Sequence, residues 1–173
     1  FSSIASNVVF GMTTTQVGAI SSAQFGGLTT TFINNLSTTN VAFLTGGQLS
    51  GLSSTQLSAL AATTFGALTS TQLGGLTTTA LEKFSTVQIG AFSTAQVQGL
   101  TATQLNGLSN AMLEAVDVAR ATTAQIAGLT TTAFGDLTDT QVGTLTAAQV
   151  ASLSTSQIGV LTTTEVHAFT TTQ

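Results

Sequence analysis

The chain lacks four residue types, and each absence excludes a class of structure or site. Its 173 residues contain no Cys, Pro, Trp or Tyr. Without Cys there is no disulfide, no thiol nucleophile and no zinc–thiolate site. Charge is also scarce, because charged residues make up only 5% of the chain and the only basic ones are Lys83 and Arg120. Two cations cannot follow a phosphate backbone, so the sequence predicts no nucleic-acid binding.

Long apolar runs are missing too. No stretch approaches the roughly 18 apolar residues that a membrane span requires, so the sequence predicts no membrane-spanning segment. Hydrophobic residues nevertheless make up 42% of the chain, which is too much for a disordered segment and enough to bury a core. Polarity comes from Thr, Ser and Gln, which are neutral. The composition therefore predicts a folded protein with an almost uncharged surface.

Groups that could perform catalysis or bind a metal are few. The only His is His167, which is close to Glu165 and is predicted to lie at the surface. Asp136 and Asp139 come nearest to a cation site, but hard cations need several oxygen ligands. Ser is abundant, but it recurs at one position of the eight-residue repeat described below, so its presence does not indicate a catalytic nucleophile. We therefore expect no enzyme activity, no cofactor and no metal.

The dominant feature of the sequence is an eight-residue repeat, a signal that decides the fold wherever it occurs. A large apolar residue stands at position 1, Thr or Ser at position 2, and usually Gln at position 5. A second apolar residue occupies position 6, and small residues occupy positions 7 and 8. The consensus is Leu-(Thr/Ser)-x-x-Gln-(Val/Ile/Leu)-(Gly/Ala)-(Gly/Ala).

The repeat predicts a single array over residues 1–173 with one register break. The break is the segment 116–120, Val-Asp-Val-Ala-Arg, after which Ala121 opens the next repeat. Residues 110–120 have the sequence most typical of an ordinary helix in this chain. The break therefore predicts either a longer helix or an insertion with no structural role. Both ends of the sequence fall within a repeat and lack the polar caps of most solenoids. We therefore expect the chain to be part of a longer array.

The spacing within each repeat is that of a helix N-terminus. Ser or Thr followed three residues later by Gln is a capping box, and the apolar residues at positions 1 and 6 are the partners of a hydrophobic staple. Gly at the end of the repeat suits a left-handed helix exit. The prediction is an all-α repeat solenoid of helices of one to two turns, one per repeat. The residues that carry it most clearly are Leu52, Ser53, Gln56, Leu57, Leu100, Thr101, Gln104, Leu105, Leu153, Ser154, Gln157 and Ile158.

Two other folds fit the octapeptide less well. In one continuous helix, equivalent positions would drift by about 80° per repeat and form no apolar stripe. A β-solenoid stays open as the alternative, because Thr, Val and Ile favour strands and Gln can form ladders. Its weakness is that positions 1 and 6 have an odd spacing, which puts them on opposite faces of a strand.

Some repeats depart from the consensus at the Gln position. There the sequence predicts deeper burial, contacts between coils or between subunits, or simple drift of the repeat. Phe32 and Met112 are the candidates for contacts between subunits. The residues that replace Gln in this way include Phe32, Thr64, Ala80, Met112 and Ala133.

The consensus resembles the Leu-(Ser/Thr)-x-x-Gln-(Ile/Val)-x-x octapeptide arrays of very large secreted, adhesin-like repeat proteins of proteobacteria. The resemblance covers residues 4–173 and implies an extracellular or cell-surface location in a bacterium. Some of those proteins are labelled for haem utilisation, but one His and no Cys offer no haem ligand here.

The uniform repeats and the low charge predict a structural role, in which the chain forms or extends a fibre and its partners are copies of itself. An adhesive module is the alternative, because rows of Thr and Gln offer neutral hydrogen-bonding groups to a glycan or another surface. Ice binding by a Thr array is a lower alternative and requires a flat β-face.

Overall fold

A computed structural model of the chain describes residues 6–169, with side chains from residue 8 onward. Within residues 6–169 the chain forms short α-helices and one 3-10 helix, and no strand. This confirms the all-α repeat solenoid and does not support the β-solenoid alternative. No helix in this range exceeds six residues, so none of them could cross a membrane.

The chain divides into two compact units, residues 1–88 and 89–173. The helices of unit 1 are α1 (Ser6–Phe10), α2 (Thr14–Gly18), α3 (Ser22–Gly26), α4 (Thr30–Asn34), α5 (Thr38–Ala42), α6 (Gly46–Ser50), α7 (Ser54–Ser58), α8 (Ala62–Gly66), α9 (Ser70–Gly74) and α10 (Thr78–Leu81), followed by α11 (Thr86–Gly90), which runs across the division. The helices of unit 2 are α12 (Thr94–Gly99), α13 (Ala102–Gly107), α14 (Asn110–Ala115), the 3-10 helix Val118–Arg120, α15 (Thr123–Ala127), α16 (Thr131–Gly135), α17 (Asp139–Thr144), α18 (Ala147–Ala151), α19 (Thr155–Ile158) and α20 (Thr163–Ala168).

Most of the helices are capped by the Ser or Thr in position 2 of their repeat. Before α7, Ser53 is extended, at φ −72° and ψ 163°, and its hydroxyl accepts a bond from the Gln56 backbone amide. The Gln56 side-chain oxygen accepts a bond of 2.7 Å from the Ser53 amide in return. One capping box thus satisfies two amides that the helix itself leaves unpaired. The helix is short because position 2 of the next repeat, here Ala61, is extended again.

Glycine at the end of the repeat has a different role from the one predicted. None of the described residues has a positive φ, so the expected left-handed exit is wrong. Gly27, for example, ends α3 at φ −88° and ψ −3°, which any residue can adopt. At Gly26 glycine is needed instead for close approach, because a Cβ there would lie 2.7 Å from the carbonyl oxygen of Gly51. The requirement is steric and comes from a segment that is distant in sequence.

Within each unit the helices stack in coils. In unit 1, α1 contacts α4, α2 contacts α5, α3 contacts α6, and α5 contacts α8. In unit 2, α15 contacts α18, α16 contacts α19, and α17 contacts α20. One coil therefore takes between three and four repeats. The residues at positions 1 and 6 point into the core between coils, and Leu52, Leu57, Leu100 and Leu105 are all buried there.

The register break is a shortened repeat. The 3-10 helix contacts α12 and α17, so it occupies the place of one α-helix in the stacking order. Val118 is buried, as position 6 is elsewhere. The predicted longer helix over residues 110–120 is wrong, because α14 ends at Ala115 and Val116 is extended. A break of five residues removes three positions from the octapeptide and keeps its two apolar residues.

Candidate functional site: the glutamine clamp

The Gln at position 5 joins two successive coils. In α9, the Gln72 side-chain oxygen accepts a 2.7 Å bond from the Thr69 amide, which completes the capping box. The Gln72 side-chain nitrogen donates to the carbonyl oxygens of Val41 at 2.8 Å and Leu44 at 2.7 Å. These carbonyls belong to positions 6 and 1 of repeats in the preceding coil, 31 and 28 residues earlier. We call this arrangement the glutamine clamp.

The glutamine clamp recurs in both units with the same geometry. In unit 2, Gln157 donates to Ile126 at 2.9 Å and to Leu129 at 3.0 Å, again 31 and 28 residues earlier. For Gln125 the offsets become 28 and 25 residues, because the shortened repeat lies between the two coils. The further glutamines that donate to carbonyls of the preceding coil are Gln48, Gln56, Gln88, Gln141 and Gln149.

The site residues predicted from the sequence form the capping boxes and their apolar flanks. Capping boxes join Ser53 to Gln56, Thr101 to Gln104, and Ser154 to Gln157. The apolar partners of the first two boxes are buried. In the third, Leu153 is half-buried and Ile158 is 51% exposed. What the spacing could not show is the side-chain nitrogen of Gln56 and of Gln157, which donates to a carbonyl of another coil.

Lys83 replaces the clamp in a repeat that has no Gln. Position 5 of that repeat is Ala80, and the carbonyl that a Gln there would reach, 28 residues earlier, is Leu52. The Lys83 ammonium donates to the Leu52 carbonyl at 2.9 Å and to the Ser50 carbonyl at 3.2 Å. A charged side chain from position 8 thus supplies the missing donor. A single Lys in an otherwise neutral repeat gave no sign of this in the sequence.

Arg120 has the same role in the shortened repeat, which lost position 5. Its guanidinium donates to the carbonyl oxygen of Phe92, a position 1 residue 28 residues earlier. The guanidinium also pairs with the Asp117 carboxylate at 2.8 Å. Both basic residues of the chain therefore donate to carbonyls 28 to 33 residues earlier, from repeats that have no Gln at position 5. Asn40, which stands at position 5 of its repeat, does so as well by donating to Met12 at 2.7 Å.

Two asparagines replace the Gln side-chain oxygen, which elsewhere accepts the backbone amide of position 2. Ala61 stands at position 2 of a repeat that has Thr64 in the Gln position, and its amide donates instead to the Asn34 side-chain oxygen of the preceding coil at 2.8 Å. The Asn34 side-chain nitrogen donates to the carbonyl of Ala59 at 3.1 Å. In unit 2, Asn106 accepts from the Thr130 amide at 2.8 Å and donates to Gly128 at 2.9 Å. That repeat also lacks Gln, because its position 5 is Ala133.

Phe32 and Met112 are both buried. This agrees with the deeper-burial interpretation of an apolar residue at position 5, and a contact with a neighbouring subunit at these residues stays a prediction. No buried side-chain nitrogen or oxygen among the described residues lacks a hydrogen-bond partner.

The described residues hold no group of three or more His, Cys, Asp or Glu that could bind a metal ion. His167 is exposed. The polar groups that converge in this fold are backbone carbonyls and side-chain amides, and what they can do chemically is hold one coil against another. No family model, curated protein or solved structure matches the chain.

Proposed function

We propose that the chain is a structural repeat segment that forms or extends an extracellular fibre, with copies of itself as partners. The observation that supports this most strongly is the glutamine clamp. Each clamp binds a coil to the one before it through the Gln side-chain nitrogen and carbonyls at position 6, position 1 or both. Stability in such an array is a sum of repeat and nearest-neighbour contributions, so adding coils lengthens it without requiring a new kind of contact.

The low charge supports the same function. With two basic and six acidic residues in 173, little electrostatic repulsion opposes association of one copy with another. The extracellular, bacterial location rests on the resemblance of the octapeptide to the arrays of secreted adhesin-like proteins.

Negative-stain electron microscopy and light scattering of the purified chain test this function. Particles that lengthen, with a mass that rises with protein concentration, are the expected result. Compact monomers at every concentration would contradict it. Raising the salt concentration is the control, because an association that does not depend on ion pairs persists when charges are screened.

Adhesion to a glycan is the second candidate, and one feature of unit 1 favours it. Phe43 occupies position 8, where most repeats have a small residue, and 66% of its surface is exposed. It borders an open groove of about 370 Å³ whose lining includes Thr45, Thr69 and Gly75. A ring face beside hydroxyl groups suits a neutral sugar. Loss of polysaccharide binding in Phe43→Ala, with binding retained in Val87→Ala at another exposed apolar residue, is the expected outcome for this candidate.

Ice binding required a flat β-face. Residues 6–169 contain no strand, so the structure offers this third hypothesis no support.

A further inference from the structure

Asn106 joins two coils at a repeat that has no glutamine. Its side-chain oxygen accepts the Thr130 amide at 2.8 Å, and its side-chain nitrogen donates to the Gly128 carbonyl at 2.9 Å. Asn34 makes the same pair of bonds in unit 1, to backbone groups of residues 59–61. Both asparagines stand at position 7 of their repeats, and both are half-buried. The two contacts are therefore equivalent in geometry.

The residue that follows each asparagine is different. Gly107 follows Asn106, Asn35 follows Asn34, and no other Asn of the chain is followed by Gly. Asparagine is one of the thermally labile residues of proteins. Its side-chain carbon is attacked by the backbone nitrogen of the next residue, and glycine has no Cβ to obstruct that approach. Gly107 is exposed, so water and hydroxide can reach it.

We propose that Asn106 is a deamidation site whose rate is controlled by the contact between coils. Hydroxide takes the proton of the Gly107 backbone nitrogen, which attacks Cγ of Asn106. The new N–Cγ bond closes a succinimide ring, the Cγ–Nδ2 bond breaks, and the nitrogen leaves as ammonia. Water then opens the ring at one of its two carbonyls, which leaves isoaspartate or aspartate at position 106. One water is consumed and one ammonia is released.

The folded coils delay this reaction. The Asn106 side chain has to turn towards its own backbone to meet the Gly107 nitrogen, and this movement breaks its bonds to the Thr130 amide and the Gly128 carbonyl. Asn106 and Gly107 are the last two residues of α13, where fraying of the helix end provides such an opening. The rate therefore follows the fraction of molecules in which this contact is locally open.

Deamidation weakens the contact that delays it. A carboxylate at position 106 still accepts the Thr130 amide, but it donates nothing to the Gly128 carbonyl and places a negative charge beside it. Isoaspartate also lengthens the main chain by one carbon at the end of α13, the helix that contacts α15. Asn106→Asp is therefore expected to lower the midpoint of urea unfolding. Asn110→Asp, at an exposed helix N-terminus, is the matched control and should leave the midpoint unchanged, because a carboxylate suits that end of a helix.

Peptide mapping by mass spectrometry, after incubation in a mildly alkaline buffer, measures the reaction at each asparagine. Trypsin cleaves after Lys83 and Arg120, which places Asn106 and Asn34 in different peptides. Asn106 is expected to deamidate about tenfold or more faster in urea than in the folded protein, because unfolding removes the protection. Asn34 is the internal comparison and is expected to react more slowly than Asn106 in urea, since Asn35 obstructs ring closure.

Three variants separate the dipeptide from the contact between coils. Gly107→Ala is expected to slow the reaction in urea about tenfold, because a Cβ then obstructs the nitrogen. Gln125→Glu removes the clamp between α15 and the carbonyls of Val97 and Leu100, and should speed the reaction about tenfold in the folded protein. Gln72→Glu is the same change in unit 1 and should leave the rate at Asn106 unchanged. Circular dichroism checks that each variant is folded.

The possible results are distinct. A rate at Asn106 that is equal in folded and unfolded protein, or equally raised by Gln125→Glu and Gln72→Glu, would overturn control by this contact. A wild-type rate in Gly107→Ala, or an equally fast reaction at Asn34 in urea, would overturn Asn106 as the special site. If Gln125→Glu loses helix signal, the comparison of folded and unfolded wild-type protein decides. The reaction does not require copies to associate, so none of these outcomes bears on the proposed function.

Discussion

The side-chain nitrogen of Gln72 donates a 2.7 Å hydrogen bond to the carbonyl oxygen of Leu44, 28 residues earlier. The offset of 28 residues equals three and a half octapeptides. One half of the Gln72 side chain is thus committed to its own helix and the other half to the coil before it. Substitutions at Gln72 separate these two contributions, and substitutions at Lys83 and Ala80 test the donor that the chain uses where Gln is absent.

Gln72→Glu isolates the contact between coils. The Glu oxygen can still accept the Thr69 amide, but the group no longer donates an N–H to the carbonyls of Val41 and Leu44. We expect a loss of about 2–6 kcal/mol in the free energy of unfolding, because two buried acceptors lose their partner. Urea denaturation followed by circular dichroism measures it. Gln24→Glu is the control and is expected to stay within about 1 kcal/mol of the wild type, since its amide faces solvent and a carboxylate suits a helix N-terminus. Equal losses in the two variants would contradict the clamp.

Lys83 and Ala80 give a test by exchange. Lys83→Ala is expected to lower the free energy of unfolding by about 1–3 kcal/mol, because the carbonyl of Leu52 loses a charged donor. Adding Ala80→Gln to this variant rebuilds the consensus repeat and should restore most of that loss.

Ala80→Gln in the presence of Lys83 is the control for this exchange, since two donors then compete for one carbonyl and no gain is expected. The four proteins form a double-mutant cycle, measured by thermal and urea unfolding. Additive effects of the two changes would show that Lys83 does not stand in for the glutamine.

Gly26 and Gly66 both end a helix at position 7 of their repeats, and they differ in what surrounds them. A Cβ on Gly26 would lie 2.7 Å from the Gly51 carbonyl oxygen, whereas one on Gly66 would meet nothing within 4 Å. Gly26→Ala is therefore expected to cost about 1–3 kcal/mol by overpacking. Gly66→Ala is expected to stabilise the fold by about 0.4–1 kcal/mol, because it restricts only the unfolded chain. Melting temperatures that move in the same direction would contradict the steric role of Gly26.

Glu165 is the one position 5 residue of the described range that has a carboxyl group where the clamp has an amide. It accepts the Thr162 amide at 2.6 Å, and it is buried. By the offsets of the clamp, Glu165→Gln would donate to the carbonyls of Phe134 and Leu137. We expect a gain of about 1 kcal/mol in the free energy of unfolding. His167→Gln, at an exposed residue of the same helix, is the control and should change it by no more than about 0.5 kcal/mol. A destabilised Glu165→Gln variant would contradict the prediction.

The sequence by itself determined the short helices. The capping box of Ser53 and Gln56 joins residues three apart, so its geometry is set within one repeat and can be derived from the spacing alone. The same holds for the two apolar positions, which have to be buried wherever the coils lie. Local hydrogen bonds and the identity of the core residues were therefore predictable.

Only the tertiary structure decided what each repeat meets in the next coil. The partner of the Gln72 amide is 28 residues away, and no feature within an octapeptide fixes that distance. The glycines were mispredicted for the same reason. The local sequence indicated a left-handed exit at the end of the repeat, whereas the constraint on Gly26 is the Gly51 carbonyl in another coil. In the sequence Lys83 is an isolated charge. Only the stacking of the coils brings its ammonium to the Leu52 carbonyl, to which Ala80 cannot donate. Long-range contacts depend on how many repeats complete a coil, and that number is set by the packing of all the side chains together.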